Sequence, residues 1–123
     1  MTQSNDRLEA VKLARQIQAY MSDQRTLRSA LDIAEKFALG HATAQELHCA
    51  YLAATAVANK AAWESTISAA KAAQNSSAAD EATTKYIAMN AAQAAAWASN
   101  PIENGAKVTL VKLNVANVQA AKK

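Results

Sequence analysis

Hydrophobic residues recur along most of this chain at intervals of three and four, which is the spacing of amphipathic helices. The pattern predicts helices at about 6–21, 24–39, 44–74, 78–99 and 106–119. The first should open with a cap at Ser4 or Asn5, because short polar side chains cap helix starts. Ser22 to Gln24 break the pattern before the second helix.

Capping residues mark several of the predicted ends. Gly40 is placed to end the second helix. Thr43 and Glu46 have the spacing of a capping box, and Ser77 offers a cap before the fourth helix. Pro101 stops that helix, because proline disfavours helix in the residue before it. The third helix either runs unbroken or kinks near Asn59.

The last segment, 106–119, allows two interpretations. Its β-branched residues favour a strand. Its valines, however, are spaced by three, four and three residues, as on one side of a helix: Val108, Val111, Val115 and Val118. We favour a final helix.

Composition sharpens this picture, because 33 of the 123 residues are alanine. Alanine is the best helix former, and its small side chain lets helix axes approach closely. We therefore predict one all-α domain over residues 1–123, a compact bundle of about five to six closely packed helices. The core should be thin, with Phe37, Trp63 and Trp97 as its large anchors.

Other classes are excluded by what the chain lacks. Two glycines and one proline give too few turns for a barrel, a sandwich or a multi-strand α/β fold. One cysteine rules out a disulfide framework. Neither a signal peptide nor a membrane span is evident, so we expect a cytoplasmic protein that does not engage a membrane.

The net charge of +3 comes from the end of the chain, where residues 101–123 carry four lysines and one glutamate. Proteins that track phosphates usually carry a denser run or stripe of basic residues. A solvated tail is the better explanation. Weak nucleic-acid binding through this segment is therefore only our third functional hypothesis.

Candidate catalytic chemistry is sparse. His41, His48 and Cys49 lack zinc-ligand spacing, and neighbours on a helix cannot form a nucleophile–base pair. Cys49 is interpreted as a small buried hydrophobe. Asp80 and Glu81 are explained by a helix start. We therefore predict no enzyme activity, no catalytic residues, no metal and no cofactor.

Five residues are candidates for binding a ligand or partner. Arg25 and Arg28 lie one helical turn apart and could hold a carboxylate or phosphate, although a solvated face paired with Asp23 and Asp32 is the simpler interpretation. The other three are aromatic: Trp63, Trp97 and Tyr86. The tryptophans are interpreted first as core anchors; if exposed, each becomes a candidate hot spot.

Residues 28–58, RSALDIAEKFALGHATAQELHCAYLAATAVA, carry a family resemblance. The segment resembles the alanine-rich immunity proteins of bacterial polymorphic-toxin systems, with matches at Arg28, Ala30-Leu31-Asp32, Ala34, Phe37-Ala38, Gly40, Thr43 and Glu46. Phe37 stands where that family has tryptophan, and Thr26-Leu27 where it has Arg-Pro. The resemblance implies a helical domain that binds and neutralises a partner, with no catalytic residues.

The leading hypothesis is accordingly a non-enzymatic protein of the immunity or inhibitor kind, bacterial or phage, that occludes a toxin or defence component. A homodimer or higher oligomer is also expected, because a bundle with a thin core can leave one helix face unburied, and a second copy could cover it. The alternative is a helical oligomer that sequesters an anionic small molecule such as a nucleotide, in defence or counter-defence. Arg25, Arg28 and a tryptophan would then have to converge in one concave site.

Overall fold

A computed structural model describes residues 2–102 and 106–123, and over these residues the chain forms five α-helices. They are α1 Thr2–Arg15, α2 Gln24–Ala38, α3 Ala44–Gln74, α4 Ala79–Ser99 and α5 Ala106–Ala121. Short 3-10 turns lie at Gln18–Tyr20 and Ser76–Ala78. The described residues contain no strand, which confirms the predicted all-α bundle. None of the helices in these ranges is long and apolar enough to cross a membrane.

The ends of α2 and the start of α3 are set by the residues that the sequence marks. Gly40 has a φ of +82°, and the amide of His41 donates to Lys36 O at 2.7 Å. This is the bond that closes a glycine-terminated helix. At α3, Thr43 N donates to Glu46 Oε1 at 2.9 Å and Glu46 N donates to Thr43 Oγ1 at 3.1 Å. The predicted capping box is thus present, and its hydrogen bonds lower the pKa of Glu46.

Two other helix starts differ from the prediction. The first helix begins at Thr2, before either expected cap, and ends at Arg15 rather than near residue 21. The cap predicted at Ser77 is wrong, because Ala78 precedes α4 and makes no side-chain cap bond. Asn75 instead accepts a hydrogen bond from Ser77 N at 3.1 Å, and it does so within the 3-10 turn. The chain therefore passes from this turn into α4 without a capping side chain.

The centre of the bundle is the second half of α4, which contacts all four other helices. Eight of its ten residues from 90 to 99 are buried, and six of those eight are alanine. The surrounding helices contact one another in the order α3, α2, α1, α5. In the described part of the chain α3 and α5 do not touch, so the four helices leave one side of α4 partly uncovered.

The face that α3 buries is made of small residues, and here the sequence interpretation is wrong over the second half of the helix. From the sequence, Trp63 is expected to be a core anchor, and Ile67 lies one helical turn further along the same face. The structure exposes both and buries Leu47, Ala54, Ala58, Ala61, Ser65 and Ser68. From residue 54 onward every buried position of α3 is alanine or serine, and Trp63 and Ile67 fall on the outer side of the helix. The helix itself is continuous through Asn59.

The final segment is a helix, as favoured, and its valines pack inward. Val111, Val115 and Val118 are buried and join the core, with Val108 partly buried against it. Phe37 and Trp97 also pack on the core from partly buried positions. Cys49 does not, since its side chain is exposed on α3 and the expectation of a buried hydrophobe is wrong.

Close packing around α4 predicts that a larger side chain will not fit there. Ala95→Leu, at a fully buried position, should lower the free energy of unfolding by about 1–3 kcal/mol through overpacking. The same change at exposed Ala69 adds no buried atoms and should cost less than about 0.5 kcal/mol. Urea unfolding followed by circular dichroism measures both; equal effects would contradict the packing described.

Candidate functional site

A cavity lies between α3 and α4, on the side of α4 that the other helices leave partly uncovered. It has a volume of about 300 Å³, at the lower end of the range of roughly 300–1,000 Å³ for small-molecule sites. The lining residues are Tyr51, Thr55, Ala58, Asn59, Gln93, Ala96 and Trp97. Two aromatic rings and three uncharged hydrogen-bonding side chains therefore surround it.

Behind the cavity, a buried network of amides joins α4 to α5. Asn114 Nδ2 donates to Asn90 Oδ1 at 3.0 Å and to Gln93 Oε1 at 3.2 Å. Asn117 Nδ2 also donates to Asn90 Oδ1, at 3.0 Å. Asn90 in turn donates from Nδ2 to the backbone oxygen of Tyr86 at 3.0 Å. The network orients the Gln93 amide, because its oxygen is directed to Asn114.

Thr55 differs from three other threonines on α3 and α4. Thr66, Thr83 and Thr84 are exposed, and each hydroxyl donates to the carbonyl four residues earlier, at 3.0 or 3.1 Å. The hydroxyl oxygen of Thr55 is buried and makes no hydrogen bond within the described part of the chain. A buried polar atom without a partner carries a free-energy cost, so it calls for an explanation.

A second feature is the outer face of α3. Among the described elements, α3 contacts only α2, α4 and the turn at Ser76–Ala78, and its outer face is left exposed. Six residues, spaced along the sequence by four, three, four, four and three, line up on this face, and all six are exposed. We call them the α3 stripe: Leu52, Ala56, Asn59, Trp63, Ile67 and Ala70. Trp63 is 67% exposed and Leu52 is 53% exposed. A row of large exposed apolar side chains often marks the surface at which a protein binds a partner.

The α3 stripe carries no charged side chain. By helical geometry, the charged residues of α3 are rotated about the helix axis by about 80–120° from Leu52. They therefore lie together on one flank of the stripe: Glu46, Lys60, Glu64 and Lys71. The opposite flank leads through Asn59 into the cavity. The stripe and the cavity therefore form one continuous uncharged region.

The structure separates the two predicted arginines from the tryptophans. Arg25 and Arg28 are both exposed on α2. Arg25 lines a surface depression of about 270 Å³ against α3, similar in volume to the cavity of Trp97. Neither arginine lines the cavity of Trp97. The ion pairs with Asp32 and Glu35 come from Arg15 instead, with N–O distances of 2.9 and 3.0 Å. Burial lowers the pKa of Arg15, but these two carboxylates outweigh it, and its pKa is raised overall.

The three aromatic candidates occupy three different places. Trp97 lines the cavity and packs partly on the core. Trp63 lies on the α3 stripe, so its interpretation as a core anchor is wrong. Tyr86 is 37% exposed on α4 and does not line the cavity, although its backbone oxygen accepts from Asn90. Only Trp97 among the five predicted site residues faces the cavity.

His41, His48 and Cys49, the residues with metal-binding side chains, are all exposed. Within the described residues, no group of three or more His, Cys, Asp or Glu side chains lies close enough to hold a metal ion.

Arg7 is the residue whose importance the sequence analysis missed. It is 2% exposed, and its Nη1 donates to Ala98 O at 3.1 Å and Asn100 O at 2.9 Å. Its guanidinium also lies over the Phe37 ring, 5.2 Å from the centroid. A cation at the carboxyl end of α4 interacts favourably with the helix dipole. The available signal was that Arg7 falls in register with the apolar positions Ala10 and Ala14 of α1.

We compared the chain with protein-family models, with curated proteins and with solved structures, and none of the three comparisons gave a match. The site is therefore interpreted from its own geometry.

Arg7 should contribute strongly to stability. Arg7→Met removes two hydrogen bonds from a charged donor to the end of α4 and should destabilise the protein by about 2–4 kcal/mol. Arg28→Met, on the exposed face of α2, should change stability by less than about 0.5 kcal/mol. Thermal and urea unfolding of both variants test this; a tolerated Arg7→Met would show that α4 does not depend on this contact.

Proposed function

We propose that this protein is a non-enzymatic helical binding protein of the immunity or inhibitor type. It neutralises a partner protein, a toxin or a defence component, by covering part of the partner's surface with α3. The single observation that carries the proposal is the α3 stripe, in which Trp63 is exposed at the centre of an uncharged row.

The dimensions of α3 suit this role. Its 31 residues span about 46 Å at 1.5 Å per residue, long enough to cross an ordinary protein interface. Tryptophan is enriched among the few residues that dominate binding energy, and neutral contacts around it exclude water. Along the stripe, Leu52 and Ile67 lie on either side of Trp63. The small residue Ala56 lies between Leu52 and Trp63, and Ala70 lies beyond Ile67.

The uncharged character of the stripe favours a protein over a nucleic acid as its partner. Nucleic-acid binding draws most of its free energy from basic side chains that contact phosphates. The resemblance of residues 28–58 to alanine-rich immunity proteins supports the same proposal, because it implies a helical domain that acts by binding. That segment includes the first turns of α3 and Leu52 of the stripe.

The second candidate function is sequestration of an anionic small molecule by Arg25, and it rests on the depression that Arg25 lines with Thr26 and Ser29 of α2 and Ala50 and Ala53 of α3. That depression lacks an aromatic side chain on which a base could stack. Protein binding is therefore the function that the geometry supports better. A second copy of the chain is the competing occupant of the stripe.

Trp63→Ala should weaken the complex with the partner by about 30-fold or more, since hot-spot tryptophans contribute at least about 2 kcal/mol. The free energy of unfolding should change little, because the indole is mostly exposed. The matched control is Leu113→Ala, which removes a 56% exposed side chain from α5, a helix that does not contact α3 in the described structure.

The partner is identified first by placing a photo-crosslinking amino acid at position 63 or at position 113 in the native host. We expect one heterologous protein to be captured from position 63 and not from position 113. Coexpression of that protein with the wild type or with Leu113→Ala should relieve its toxicity or activity, whereas coexpression with Trp63→Ala should not. Crosslinks only between copies of this chain, or none from position 63, would contradict the proposal.

A further inference from the structure

We propose that the cavity between α3 and α4 binds the base of a nucleoside, a planar uncharged heterocycle. This site adjoins the α3 stripe and shares Asn59 with it, but the inference does not rest on the function proposed above. It also replaces the expected anionic ligand with a neutral one.

The charge of the lining determines the class of ligand. All seven lining residues have side chains without formal charge at neutral pH, and neither Arg25 nor Arg28 is among them. A phosphate or carboxylate placed in the cavity would lose hydration without gaining a cationic partner, which is unfavourable. The group that enters must therefore be neutral, and any phosphate attached to it must stay in solvent.

The aromatic side chains favour a flat ring over a flexible chain. Tyr51 comes from α3 and Trp97 from α4, so the two walls of the cavity each supply one ring. Bases stack on such rings with about 1–3 kcal/mol per base. The remaining apolar contacts come from Ala58 and Ala96, whose small size leaves room for the ligand.

The polar side chains suit the edge of a base. Bases present donors and acceptors side by side, and Asn and Gln amides pair with such edges through two bonds. Asn59 and Gln93 both line the cavity. The oxygen of Gln93 accepts from Asn114 Nδ2 at 3.2 Å, so the network leaves its Nε2 as the donor for a ligand.

Thr55 gives an independent reason to place a ligand here. Its buried hydroxyl has no partner among the described residues, unlike the hydroxyls of Thr66, Thr83 and Thr84. A hydroxyl can donate to a ring nitrogen or accept from an exocyclic amine. A base in the cavity would satisfy this otherwise unpaired group.

The volume and position of the cavity limit the ligand further. The cavity has a volume of about 300 Å³, at the lower end of the usual range for small-molecule sites, which leaves room for a single base. Asn59 lines the cavity and is exposed, so a sugar attached to the base could reach solvent beside it.

The test titrates purified protein with adenosine, guanosine, cytidine and uridine. In a Trp63→Phe background Trp97 is the only tryptophan, so its fluorescence reports on the cavity alone. We expect at least one nucleoside to bind saturably at one site with a Kd below about 1 mM. ATP should bind no more than about tenfold more tightly than adenosine, because no cation is among the described residues that line the cavity.

Two variants at one position separate ligand binding from folding. Thr55→Ser keeps the hydroxyl and should keep the affinity. Thr55→Val has nearly the same shape without the hydroxyl and should weaken binding by about five- to tenfold, the value of one hydrogen bond. The melting temperature of Thr55→Val should stay the same or rise, since an unpaired buried oxygen is removed.

Four results would overturn the proposal: no nucleoside binding up to about 1 mM, equal affinity in the Val and Ser variants, equal binding of methyl glucoside, or tight ATP binding that Arg25→Ala abolishes. The third would assign the cavity to sugars. The fourth would show that the nucleotide binds at Arg25 and not in the cavity.

Discussion

The burial of α4 on nearly all sides is the constraint on which the rest of this structure depends. The helix contacts all four other helices, and six of its eight buried residues from 90 to 99 are alanine, whose small side chains let neighbouring helices approach closely. Because each alanine buries little area, stability must come from many close contacts rather than from large side chains. Arg7 completes the arrangement by donating to carbonyls at the end of the helix.

This packing also determines where chemistry can occur. The buried positions of α3 beyond Leu47 are alanine and serine, and Trp63 and Ile67 lie on the outside of the helix. Four helices do not enclose α4 completely, and the uncovered side becomes a cavity that Trp97 lines. The outer stripe and the cavity meet at Asn59, which belongs to both.

Much of the fold was predictable from the sequence, because its signals are local. Gly40, the Thr43–Glu46 box and the uninterrupted run before Pro101 specify helix ends that the structure confirms. The face of α3 was not predictable beyond Ala58, since the apolar period fits Trp63 as well as Ala61, and only the partner helix selects the smaller side chain. The buried role of Arg7 and the meeting of Thr55 with Gln93 depend on contacts between distant segments, which spacing does not reveal. Of the five predicted binding residues, the structure places only Trp97 in the cavity.

Amide hydrogen exchange, resolved by NMR for each residue, tests the central claim most directly. If α4 is the enclosed centre of the bundle, the amides of residues 91–99 should exchange only through global unfolding, with opening free energies equal to that from denaturant. Amides near the carboxyl end of α3, beyond Ser68, should exchange through local opening at lower free energy. Exchange of residues 91–99 as fast as that of the end of α3 would contradict the account, because α4 would then not hold the other helices together.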